Sequence, residues 1–173
     1  YDRVELFLNG VSLGAKEHDP YSPPRWDVAY EPGVLTAVGT GAGKAEKSVQ
    51  RRTVGPAREL HISAETATVD RNRIVSVVIT ALDENGERAV SASPEVTVTA
   101  NGAARVVGLS SGDPTDHVPD TAATRPMFGG LLKAFIRVDP EATRFTLRAA
   151  GAAALRAETT IELRPASWPI KRL

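Results

Sequence analysis

The densest set of groups that could do chemistry lies between Gly108 and Arg137, GLSSGDPTDHVPDTAATRPMFGGLLKAFIR. Gly108-Leu109-Ser110-Ser111-Gly112 spells the G-x-S-x-G pattern, in which a serine is exposed at a sharp strand-to-helix turn. Here Asp113-Pro114 leads into Thr115 to Thr121 with no helical apolar period, so a turn at a strand end is the simpler reading and no catalytic residue is assigned. Asp113, Asp116, His117 and Asp120 lie close enough together to offer carboxylates to a hard cation such as calcium. They fit no EF-hand spacing, and aspartates capping turns explain the pattern equally well, so neither a metal site nor a cofactor is expected. With Arg125 added, Asp113, Asp116 and His117 form a polar set suited to hydrogen bonds at the rim of a sugar site or across a domain interface.

Other candidates are weaker. Gly39-Thr40-Gly41-Ala42-Gly43-Lys44 is one residue short of a phosphate-binding loop, continues into Ala45 instead of Ser or Thr, and precedes a strand; it reads as a glycine turn. His18, His61 and His117 are scattered along the chain. Trp26, with Tyr21 and Tyr30, offers an aromatic platform for a sugar ring, but Trp26, Val28 and Tyr30 alternate as one strand face, which favours a place in the core. Glu5, Glu59, Glu95, Glu158 and Glu162 fall on polar strand faces, so no carboxylate pair for glycoside hydrolysis can be chosen.

The elements that must position these groups are strands. Val4, Leu6 and Leu8 alternate with polar or aromatic neighbours and run into Asn9-Gly10, a type I′ hairpin signal, before Val11 to Leu13. Prolines break the stretch from His18 to Pro24. Glu31-Pro32-Gly33 turns into Val34 to Val38, and a more polar strand runs from Ala45 to Thr53. After Gly55-Pro56 a second strand series begins: Leu60, Ile62 and Ala64, then Val75, Val77, Ile79 and Ala81, ending in the turn Asp83-Glu84-Asn85-Gly86. Val96, Val98 and Ala100 follow, and beyond the long loop come Leu131 to Val138, Phe145 to Ala149 and Ile161 to Leu163. Short alternating strands with turn signals every 8 to 12 residues or so are the pattern of an immunoglobulin-like sandwich. An irregular stretch longer than roughly 12 to 15 residues is uncommon inside a compact domain unless it is functional or disordered, and Met127 and Phe128 are expected to anchor this one.

With 21 basic and 21 acidic residues the 173-residue chain is formally neutral, which removes the electrostatic case for nucleic acid or an anionic membrane as partner. No apolar run approaches the roughly 20 residues of a membrane span. The absence of cysteine excludes disulfides and thiolate metal sites. Tyr1 leads almost directly into a strand, so the chain is expected to be part of a longer one; its localisation, secreted or cytoplasmic, would depend on sequence preceding it.

Three segments resemble the C-terminal accessory region of bacterial glycoside hydrolase family 2 β-galactosidases, over about residues 1 to 164. They are Val4 to Gly14, VELFLNGVSLG; Trp26 to Gly39, WDVAYEPGVLTAVG; and Gly112 to His117, GDPTDH, with Arg125 and Phe128-Gly129-Gly130. Ser111 stands where the family usually carries Asn, and Val118 where an acidic residue often follows. The resemblance implies an all-β chain of two tandem immunoglobulin-like β-sandwich domains. These are a partial domain over 1–55, truncated at its N-terminus, and a second over 56–164, with a tail at 165–173. It implies a non-catalytic role in a parent enzyme whose catalytic barrel, with its two glutamates, lies upstream and is the principal partner. Asp113, Asp116, His117, Arg125 and Trp26 are the residues to examine for binding. A missing strand before Val4 would leave an open edge or an apolar face, and self-association through that edge. A carbohydrate-binding module and an adhesin-like spacer are the alternatives.

Overall fold

The computed structural model describes residues 1–65, 68–69, 74–139 and 141–165, and the chain divides into two compact units, Tyr1–Thr53 and Val54–Leu173. Most of the expected tail, residues 166–173, lies outside the described residues. All regular structure among the described residues is β, and no helix long and apolar enough to cross a membrane occurs among them.

Unit 1 is one antiparallel sheet built from β1 (Arg3–Leu8), β2 (Val11–Glu17), β3 (Val34–Gly41) and β4 (Lys44–Arg52), in the order β2-β1-β3-β4. Asn9 and Gly10 take φ of 52° and 81°, the left-handed pair a two-residue type I′ turn requires. The Asn9 side chain then reaches across the sheet: Oδ1 accepts from Val34 N–H at 2.9 Å, and Nδ2 donates to Pro32 O at 3.1 Å. Gly33, at φ 146°, leaves it room, since a Cβ there would lie 1.7 Å from Asn9 Oδ1. The open edge expected at Val4 to Leu8 is not found. β1 pairs with β2 on one side and β3 on the other, so the outer edges belong to β2 and β4.

The strand expected to carry Trp26, Val28 and Tyr30 on one face is also not formed. The segment joins neither outer edge of the sheet, β2 or β4, and Pro20, Pro23 and Pro24 just before it remove backbone donors. Tyr30 is 80 % exposed as a result. One sheet face is nonetheless apolar: Val4, Leu6 and Leu8 stand opposite Gly39, Ala37 and Leu35, and Ala37 faces Val49. Of the large hydrophobics in this unit, only Leu6 is buried, while Val49 is half exposed.

Unit 2 has two four-stranded antiparallel sheets. One runs β5 (Glu59–Ala64), β7 (Ile74–Leu82), β11 (Leu131–Val138), β9 (Ala104–Ser110); the other runs β10 (Thr124–Pro126), β8 (Glu95–Gly102), β12 (Arg144–Gly151), β13 (Arg156–Glu162). Short β6 (Thr68–Val69) and β14 (Arg164–Pro165) pair in parallel. Setting aside the small edge strand β10, these are the A-B-E-D and C-F-G sheets of an immunoglobulin-like sandwich. The alternation of β7 buries Val75, Val77, Ile79 and Ala81 completely; β11 does the same with Leu132, Ala134 and Ile136, and these side chains form one core cluster with Val96, Val98, Phe145 and Leu147 of the opposite sheet.

Strand register decides which loops share an end. Glu59 pairs with Leu82, Leu131 with Thr80, Ser110 with Lys133, Pro126 with Glu95 and Gly151 with Val96. The entry segment 54–58, the connection 83–94, the loop 111–123 and the turn 127–130 therefore gather at one pole of the sandwich. Gly130 (φ 72°) is needed there, because a Cβ would approach Ala89 O to 2.6 Å. Phe145→Ala is expected to cost unit 2 about 3–5 kcal/mol, read from urea midpoints by a probe within that unit.

Candidate functional site

Arg125 organises the pole. It sits on β10, whose ladder to β8 pairs it with Val96, and its side chain is 5 % exposed. Its guanidinium donates to the carbonyls of Leu109 and Val118 and, at 2.6 Å, to Asp120 Oδ1. Its Nε lies 2.7 Å from Asp116 Oδ2, an ion pair without the alignment of a hydrogen bond. The two carboxylates differ in setting: the Asp116 side chain is 6 % exposed and that of Asp120 82 %.

The loop is further tied by its own short-range bonds. Asp116 Oδ1 accepts from Val118 N–H at 2.8 Å and Oδ2 from the Ser111 hydroxyl at 3.2 Å; Asp113 Oδ1 accepts from both Thr115 N–H (2.8 Å) and Thr115 Oγ1 (2.7 Å). These are the turn-capping roles expected of aspartate. The Val118 N–H bond foremost, with the Ser111 hydroxyl and the Arg125 charge, holds the Asp116 carboxyl below its ordinary range. Asp120, acting chiefly through its hydrogen bond, keeps Arg125 firmly protonated.

The sequence-derived set therefore divides. Asp116 and Arg125 turn inward and satisfy each other, Asp113 caps a turn at the surface, and His117 is exposed. Of the two expected anchors only Met127 is buried, at 2 % exposure; Phe128 is 48 % exposed. Ser110 ends β9 and no helix follows, so the G-x-S-x-G letters form a strand-end turn. No three His, Asp or Glu groups assemble as a metal-holding cluster among the described residues.

Asp83 is the residue sequence reasoning missed: it counts there as a turn signal, yet it is a buried carboxylate at 2 % exposure. It accepts from Gly55 N–H (2.9 Å), Asn85 N–H (2.9 Å) and Glu87 N–H (3.0 Å), tying the entry segment to the end of β7. The Gly55 bond is the leading cause of its lowered pKa. Its position at the head of a D-E-N-G turn was the available signal.

Trp26 belongs to unit 1. It is half-buried, donates Nε1–H to Gly14 O at 3.2 Å, and lies under the Lys16 ammonium, 5.3 Å from the ring centre. Nearby in sequence, Leu8, Val28, Tyr30, Leu35 and Arg51 line a shallow groove of about 310 Å³ to which Trp26 does not contribute.

Fold and site define an immunoglobulin-like β-sandwich module whose loop pole is organised by a buried arginine. Residues 59–160 match the model of the glycoside hydrolase family 2 C-terminal domain 5, and the chain belongs to that family. Residues 1–46 match a domain of unknown function, DUF4982. The chain is 28 % identical over 141 residues to a β-galactosidase of Bacteroides ovatus, covering 80 % of this chain and 17 % of the relative. It is 30 % identical over 146 residues to a putative β-glucuronidase of Formosa agariphila, covering 81 % of this chain and 14 % of that protein. Among solved structures, a glycosyl hydrolase family 2 member from Bacteroides cellulosilyticus superposes with a TM-score of 0.83 at 26 % identity, over 94 % of this chain and 22 % of that one. A β-glycosidase from Bacteroides vulgatus does so with 0.75 at 27 %, over 94 % and 21 %. The chain thus spans less than a fifth of the length of these curated relatives.

Two tests follow from the geometry. Both Asp83 and Asp116 have folded pKa values below the ordinary 3.8, so the stability each contributes is complete above that value and is lost as pH falls from there through the lower folded value. Asp83→Asn and Asp116→Asn should be less stable than the wild type at neutral pH and converge on it in acid, measured as urea midpoints from pH 7 to pH 2. His117→Ala should shift stability by no more than about 0.5 kcal/mol, as expected for an exposed side chain without a structural role.

Proposed function

We propose that this chain is the non-catalytic C-terminal accessory region of a family 2 glycosidase acting on β-galactosides, downstream of the catalytic barrel, and that the pole carrying loop 111–123 borders the catalytic part of the parent. The observation that carries this is topological. The loop leaves β9 at the same end of the sheet at which residues 54–58 lead into β5. The galactoside assignment draws on the Bacteroides ovatus relative; the Formosa relative carries a glucuronidase name, so the sugar is the finer and more exposed part of the proposal.

The domain division is proposed with it: a partial domain over 1–55 and an immunoglobulin-like domain over 56–164. In this view the apolar face of unit 1 is one layer of a sandwich completed elsewhere in the parent. A single sheet with so little buried apolar area is marginal alone. A second reading, a carbohydrate-binding module, is favoured by one feature, the unit 1 groove with exposed Tyr30 beside Arg51 and Arg52.

The purified chain should not release nitrophenol from a nitrophenyl β-galactoside, because retaining hydrolysis needs two carboxyl groups roughly 5 to 5.5 Å apart. In the parent enzyme, Asp113→Ala and His117→Ala should raise KM with kcat unchanged. Unchanged kinetics, together with galactan binding abolished by Tyr30→Ala, would select the binding-module reading instead.

A further inference from the structure

We propose that Arg125 is a positioning residue: its guanidinium sets loop 111–123 in one conformation and thereby presents Asp113, Thr115 and His117 as a preformed surface to the catalytic part of the parent enzyme. The second half rests on the accessory role proposed above; the first half stands on the geometry of the loop alone.

Ordering the backbone costs roughly 1–2 kcal/mol per residue, and something must offset it. In loop 111–123 hydrophobic burial does not, since no apolar residue from Ser111 to Ala123 is fully buried. Its order therefore rests on polar ties. Several of these are short-range, within the two consecutive turns at Asp113 and Asp116. Others fasten the backbone toward the end of the loop, from Leu109 N–H to Asp120 O at 2.7 Å and from Val98 N–H to Ala123 O at 2.9 Å. The middle is held by one side chain. Arg125 gathers Asp116, the Val118 carbonyl and Asp120 from the loop and the Leu109 carbonyl from β9, onto a group whose own backbone is fixed by the β10–β8 ladder.

A guanidinium suits this work because its donors diverge in one plane and stay charged; an ammonium, a single compact charge, cannot satisfy four acceptors spread along a loop. Asp116 and Arg125, which the sequence offers as binding groups, are consumed in building the surface. Outside that cluster the turns leave Asp113, partly exposed with its carboxylate accepting from Thr115, and the exposed Thr115 and His117.

The test combines hydrogen exchange on this chain with kinetics on the parent enzyme. Arg125→Lys and Arg125→Met should accelerate exchange of the Thr115 to Thr121 amides about tenfold or more, while the β7 and β11 amides stay protected. Asp120→Ala removes a partner from an 82 % exposed site and so tests the tie without threatening the core; it should give a smaller change of the same sign. Arg148→Met, breaking an exposed ion pair with Glu158 elsewhere in the unit, should leave the loop unchanged. In the parent, Arg125→Lys should raise KM about as much as His117→Ala does, with kcat retained. Loop exchange unaltered in all three loop variants would overturn the positioning role. A looser loop with normal KM in Arg125→Lys, while His117→Ala and Asp113→Ala still raise KM, would overturn it too and leave the accessory reading standing. Normal KM in all three would overturn both.

Discussion

The structure of unit 2 depends on one constraint, the two-residue period of its strands. Because β7 and β11 place every second side chain against the facing residues of β8 and β12, apolar faces close on each other. A core of that kind leaves its sheet faces committed to stability. Chemistry and recognition are then available at the strand ends, where loops are free to vary without disturbing the layers.

Of the two poles this creates, one is built up by charge. Buried ionised groups are tolerated only when paired or hydrogen-bonded, because desolvation otherwise outweighs what they contribute. Arg125 and Asp83 both meet that condition at the same pole, the first through two carboxylates and two carbonyls, the second through three backbone N–H groups. Asp83 secures the segment by which the chain enters the sandwich at β5, and Arg125 secures the loop that follows β9, at the other edge of the same sheet.

Unit 1 is a single sheet, and its packing differs accordingly. Its sheet has regular registers and a well-made type I′ turn, yet its apolar face buries little beyond Leu6, and every residue of β4 is exposed. The ladders are formed while apolar packing is sparse. Backbone ladders determine that the strands form; they do not by themselves supply the apolar burial on which independent stability rests.

Alternation, turn residues and the lack of any helical period made the all-β architecture legible from the sequence, along with most strands of unit 2 and the Asn9-Gly10 hairpin, because these depend on neighbours one to four residues apart. Residues Trp26 to Tyr30 read equally well as a strand, yet in the fold they pair with neither outer edge of the sheet, β2 or β4. The inner place of β1, the three-residue β10 and the gathering of these loops at one pole are consequences of register between distant strands. Asp116 and Arg125 were visible as charged residues near one another. Whether they face a ligand or each other was decided by burial, since a guanidinium removed from water must find its acceptors within the protein, and the fold brings those acceptors from Leu109, Asp116, Val118 and Asp120.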